Sequence, residues 1–198
     1  MDKIILFQDG LVLFLGSYFI EISLAIVLLL LAVATVFDVK RHRIPNWLVF
    51  SGALIGLAYH ALSSYGIGAM ASAQGLAVGL ACFMPLYLIR AMGAGDVKLM
   101  AMVGAYLGPA SAFGAVLTVF IAGGVLAMAA AIRNRALPRL VENLRFIMAD
   151  MSMKVLVGGA AQVDVVPVSA GKLPYALAIA AGTAIHIYLM RIGHALLS

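Results

Sequence analysis

Two aspartates stand out in a chain that is otherwise strongly apolar: Asp38, at the end of a hydrophobic run, and Asp96, in the stretch Gly93-Ala94-Gly95-Asp96. A carboxylate at a membrane-helix centre costs about 2.5–3.5 kcal/mol on insertion scales, so it normally faces protein or water and marks function. Two carboxylates brought together can hydrolyse an amide. Like charges a few ångströms apart do not both ionise easily, so the pair holds one proton between them. The ionised partner draws a proton from water while the protonated one polarises the substrate. The pair then titrates as a unit.

The residues beside these acids fit such a site. Gly93 and Gly95 permit backbone conformations closed to other residues and a close approach of a substrate strand. Their alternative is a plain tight turn, or the small-residue packing common between membrane helices. Asp38 opens the run Asp38-Val39-Lys40-Arg41-His42-Arg43-Ile44-Pro45-Asn46, in which a salt bridge to the adjacent bases is the competing role for the acid. Pro45 suits a helix start, where no amide hydrogen is needed. Asn46 can bond the backbone or a neighbouring carboxylate. Lys98, two positions past Asp96, points to another helix face and also serves as a basic anchor at the membrane edge.

The elements that must position these residues follow from composition. Of 198 residues, 65% are hydrophobic and 11% charged, whereas a soluble domain is about a quarter charged. The expected fold is all-α: one integral membrane domain over 1–198, with a core of about 19–190 and about six crossings. These run from Phe19 to Phe37, from Pro45-Asn46 to Leu62, from Gln74 to Ile89 with a kink at Pro85, from Asp96 to Gly108-Pro109, from Ser111 to Ile132, and from Leu173 to Met190. Residues 1–18 read as an outer interfacial segment or an extension of the first helix. The long polar connection, 133–172, holds Leu140, Leu144, Ile147, Met148 and Met151 at helical spacing, as in an amphipathic helix on the cytoplasmic leaflet.

Charge fixes the orientation. Of the 13 Lys and Arg, only Lys3 and Arg191 fall outside under this topology, and the rest cluster on one face, which is therefore cytoplasmic. The chain crosses twice between Asp38 and Asp96, so both acids return to that face. The net charge of +5 arises from bases flanking apolar runs and not from a basic face with interleaved aromatics, which argues against nucleic-acid binding. The four histidines and Cys82 show no metal-site spacing, and no H-E-x-x-H, G-x-S-x-G or Walker sequence occurs. No cofactor and no metal are expected.

Three stretches together resemble a known family. Phe37-Asp38 through Ile44-Pro45-Asn46, Gly93-Ala94-Gly95-Asp96-Val97-Lys98-Leu99, and Lys172-Leu173-Pro174-Tyr175 with Ala178-Ile179 are similar, in order, to the motifs of the bacterial type IV prepilin peptidases. These are G-x-G-D intramembrane aspartic proteases. The family often has Gly after the Pro-Tyr pair, where this chain has Ala176.

The resemblance implies a multi-pass protein of the bacterial inner membrane that cleaves prepilin leaders at the cytoplasmic face. Asp38 and Asp96 would be the catalytic pair. Gly93, Gly95, Lys98, Pro45, Asn46, Pro174 and Tyr175 would shape the site. The partners would be a membrane-embedded prepilin signal helix and the lipid bilayer. Larger relatives carry a cytoplasmic insertion with paired cysteines and an N-methylation activity; that insertion is missing here, so methyl transfer is not expected. The compact form resembles the peptidases of tight-adherence (Flp) pili. Two other functions fit the same acids: a small proton-coupled transporter, with interrupted helices in a repeat pattern, and a non-catalytic subunit of a pilus or secretion assembly.

Overall fold

In a computed structural model, residues 2–62, 67–89, 91–133 and 174–197 are described. They form helices: α1 (Asp2–Arg41), α2 (Asn46–Leu62), α3 (Ala69–Leu88), α4 (Ala94–Arg133) and α5 (Tyr175–Leu197). The chain divides into two compact units, one of residues 1–122 with 174–198 and the other of residues 123–173. In the second, the described residues 123–133 are the last turns of α4. The expected amphipathic segment, and Lys172 and Leu173 of the third motif, lie outside the described residues. The rest of this subsection concerns the first unit.

Four of the helices are long and apolar enough to cross a bilayer: α1 from Ile22, α3, α4, and α5 as far as Gly193, with α2 shorter at 17 residues. Large side chains such as Leu29, Leu54, Ile121 and Tyr188 lie exposed on their outer faces, as suits a body surrounded by lipid. Helix α1 begins far upstream of Phe19, so residues 2–18 extend the helix. It ends with Lys40 and Arg41 in its last turn, where cations complement the helix dipole. His42 then takes φ 50°, the left-handed conformation that stops a helix.

Helix α3 starts at Ala69, ahead of the expected Gln74. Four of the five residues 69–73 are alanine or serine. That smallness lets α3 approach α4. Ser72 Oγ donates to the Ala105 carbonyl at 2.6 Å, and a Cβ at Gly75 would overlap the carbonyl of Gly104. Such close backbone contact through small residues is a common way for helices to pack in lipid.

Helix α4 is broken at Gly108, whose φ 75° and ψ 173° are non-helical, and Pro109 follows it. Only glycine adopts this backbone readily. The contacts show that the chain doubles back there. Gly79 packs against Met100, and Phe83, one turn further along α3, stacks on Phe120 at 5.3 Å with planes 12° apart. On a straight helix Met100 and Phe120 would stand about 30 Å apart. After the break, Thr118 Oγ1 donates to the Gly182 carbonyl at 2.9 Å, joining this half to α5.

The half before the break, residues 94–107, is the centre of the unit. Leu99, Met100, Met102, Val103 and Ala105 are fully buried, and a helix apolar all round belongs inside. Around it pack Val27 and Leu31 of α1, Leu48 and Val49 of α2, Phe83 of α3 and Ile179 of α5. At the end of α2 away from Pro45, His60 is buried and contacts Ser23 Oγ and the Tyr106 carbonyl through Nε2, at 3.3 and 3.2 Å. Its Nδ1 accepts the Ile67 N–H at 3.4 Å. Nε2 must therefore carry the proton. These bonds tie α1, α2 and α4 together far along the chain from either motif.

Candidate active site

Asp38 sits in the last turns of α1 and Asp96 in the first turn of α4. Asp38 is only 8% exposed, and its Oδ2 accepts the backbone N–H of Ala176 at 3.1 Å. Ala176 is fully buried in the first turn of α5. The charge of Asp38 thus faces a helix N-terminus, where the dipole favours an anion. The neighbouring base turns elsewhere: Arg41 lies over the Phe37 ring, 5.7 Å from its centroid. The first turn of α5 is further tied to α1 by Thr35, whose Oγ1 donates to the Ala176 carbonyl at 3.4 Å.

Asp96 is held by the glycine turn before it. Gly93 N–H donates to Asp96 Oδ2 at 3.2 Å, and Asp96 N–H donates to the Gly93 carbonyl at 3.1 Å. With α4 starting at Ala94, this is half of a capping box: the third residue of the helix bonds back to the cap position. The expected use of the glycines is corrected here. Among the described residues the positive-φ glycines are Gly68 and Gly108, so neither Gly93 nor Gly95 uses its conformational freedom. Gly95 instead provides room, since a Cβ there would lie 3.3 Å from the Cβ of Ile44.

The carboxyl groups of Asp38 and Asp96 are near enough for the charge of Asp38 to act on Asp96, and the charge of Asp96 in turn reaches Tyr175. The Tyr175 ring is half-buried and packs edge-on against Phe83 at 6.4 Å. Pro174 accepts the Leu177 N–H at 3.2 Å and so opens α5, which sets where the Ala176 N–H points.

Pro45 opens α2 in the same way, accepting the N–H groups of Leu48 and Val49 at 3.2 and 3.4 Å. Among the described residues, Asn46 turns to neither the backbone nor a carboxylate. Its Oδ1 accepts from Lys98 Nζ at 3.1 Å, and Lys98 also lies 5.3 Å from the centroid of the Phe50 ring. A lysine on α4 and an amide on α2 are too far apart in sequence for local rules to pair them. The Ala176 N–H was missed for a related reason: a backbone donor leaves no residue type to read. Among the described residues no three His, Cys, Asp or Glu side chains gather as a metal site would require.

Residues 25–128, just over half of the chain, match the type IV leader peptidase family. The chain belongs to that family. No curated protein and no solved structure matched it. The family makes this chain a leader-peptidase-like protease, and its apolar helices make it a membrane protein. The matched segment contains both aspartates and the glycine turn before Asp96. It stops short of Pro174 and Tyr175, yet the fold places that corner beside Asp38.

Proposed function

We propose that this protein is an intramembrane aspartic endopeptidase that removes a short basic leader from type IV pilin precursors of the Flp kind, at the cytoplasmic face of the inner membrane. One observation carries this reading: in a chain of the leader peptidase family, Asp38 and Asp96 approach each other from separate helices beside the buried Ala176 N–H. Counting α2 and both halves of α4, the chain makes six crossings, and the basic residues around Asp38 and Asp96 face the cytoplasm.

In this mechanism one aspartate is ionised and takes a proton from water, whose oxygen attacks the scissile carbonyl carbon. The protonated aspartate hydrogen-bonds the carbonyl oxygen and stabilises its developing charge. The tetrahedral intermediate then collapses, the C–N bond breaks, and the leaving nitrogen receives a proton from the pair. Pro174 and Tyr175 place the N–H that orients Asp38; Gly93 caps the helix that orients Asp96. The protein cleaves without methylating its product.

Gly95 and Gly93 should differ in tolerance. Gly95→Val drives a branched side chain into Ile44 and is expected to lower cleavage at least tenfold, since about 1 Å of misplacement can cost a hundredfold. Gly93→Ala adds a methyl group at ordinary contact with Asp96, 3.4 Å away, and should retain most activity. Rates measured at matched protein levels check both. The substrate is tested by co-expression with candidate pilin precursors, followed by mass measurement of the product's amino terminus. A single shortened product lacking an added methyl group is expected. Intact precursor throughout, with solute flux in vesicles, would favour a transporter instead.

A further inference from the structure

We infer that Asn46 and Lys98 are positioning residues, a latch that holds the first turn of α4 against the linker between α1 and α2 and thereby sets the separation of Asp38 and Asp96. The inference rests on the reading of those two acids as the reacting pair. Asp96 lies between two residues that both touch this linker or the helix start it leads into. On one side Gly95 packs against Ile44, with room for no more than a tight Cβ contact of 3.3 Å. On the other, Lys98 Nζ bonds Asn46 Oδ1 at 3.1 Å and lies over Phe50 at 5.3 Å.

The linker is fixed at its other end to the first acid. His42, in the left-handed conformation, donates its N–H to the Asp38 carbonyl at 2.7 Å, and Pro45 anchors the first turn of α2. The backbone of this short linker therefore connects Asp38, through the His42 bond, to Ile44 and Asn46, which touch Gly95 and Lys98 on either side of Asp96. Lys98 spends its charge on a neutral amide and an aromatic face. That arrangement fixes position without neutralising either carboxylate, which a basic group bonded directly to Asp96 would do.

Two measurements test the latch. The first needs no catalysis. In a Cys82→Ala background, Asp38→Cys and Asp96→Cys are introduced together and joined in membranes by a short bis-maleimide. Adding Asn46→Ala or Lys98→Met should cut the cross-linking yield at least threefold. Adding Asn46→Asp, which keeps the acceptor, should leave it unchanged. An undiminished yield in both loss variants overturns the proposal even if the protein proves to be no peptidase.

The second is a double-mutant cycle on cleavage in otherwise unaltered protein. Asn46→Ala and Lys98→Met should each lower kcat about tenfold with KM little changed, and the double variant should be no worse than either. Multiplying losses in the double variant, or a rise in KM confined to Lys98→Met, would mean that the lysine acts on substrate directly and would refute the latch.

Discussion

Asp38→Ala and Asp38→Asn should give proteins that are equally inactive and unequally stable. The carboxylate is 8% exposed and accepts the Ala176 N–H at 3.1 Å. Asparagine loses the charge but keeps an oxygen for that N–H. Alanine leaves a buried donor at the start of α5 without its partner, a loss of about 1.5–3 kcal/mol for a bond to a charged group. In a chain of this size that corresponds to a fall in melting temperature of about 3–12 °C for alanine, with less than half of it for asparagine. Cleavage should fall by about 10²–10⁴ in both, the range attached to loss of an acid–base group. Thermal unfolding in one detergent, beside cleavage at matched protein levels, separates the two roles. Equal melting temperatures for alanine and wild type would show that the bond to α5 contributes nothing to the fold.

Gly75→Leu should prevent the bundle from assembling. A Cβ at this position would overlap the Gly104 carbonyl and sit 2.7 Å from the Gly108 Cα. Backbone cannot yield as a flexible side chain can, so α3 and α4 would have to separate. Overpacking in a well-filled interior costs about 1–3 kcal/mol, and here the obstacle is main chain on both sides. The same contact holds the break at Gly108, where α4 doubles back, so its loss displaces the second half of α4 as well. Gly124→Ala is the control, because among the described residues nothing lies within 4 Å of a Cβ there. Monodisperse yield on size exclusion should collapse for Gly75→Leu and stay at the wild-type level for Gly124→Ala.

Much of this arrangement could be read along the chain, and the reason is physical. Lipid demands long apolar helices, so the charged run from Asp38 to Asn46 and the Gly108-Pro109 pair can only lie at helix ends or breaks. Both do. Parity then returned Asp38 and Asp96 to one end, and the structure has their charges within mutual reach. What could not be read depends on contacts between helices. The partner of Asn46 is Lys98 across two helices, and Asp38 is held by a main-chain N–H that no side chain advertises. The glycines before Asp96 were legible as special but not for the right reason. Their value is a helix cap at Gly93 and a close approach at Gly95. Helix α3 starts at Ala69, ahead of Gln74, where small residues pack closely on α4.

The central claim is that Asp38 and Asp96 act on the peptide bond as one unit. Its most direct test measures leader removal by purified wild type, Asp38→Asn, Asp96→Asn and the double variant in a single lipid preparation, with correct folding verified by melting temperature. The account predicts that each single variant is as inactive as the double one, because neither carboxyl group can move the proton alone. Full processing by a folded Asp38→Asn or Asp96→Asn protein would contradict it.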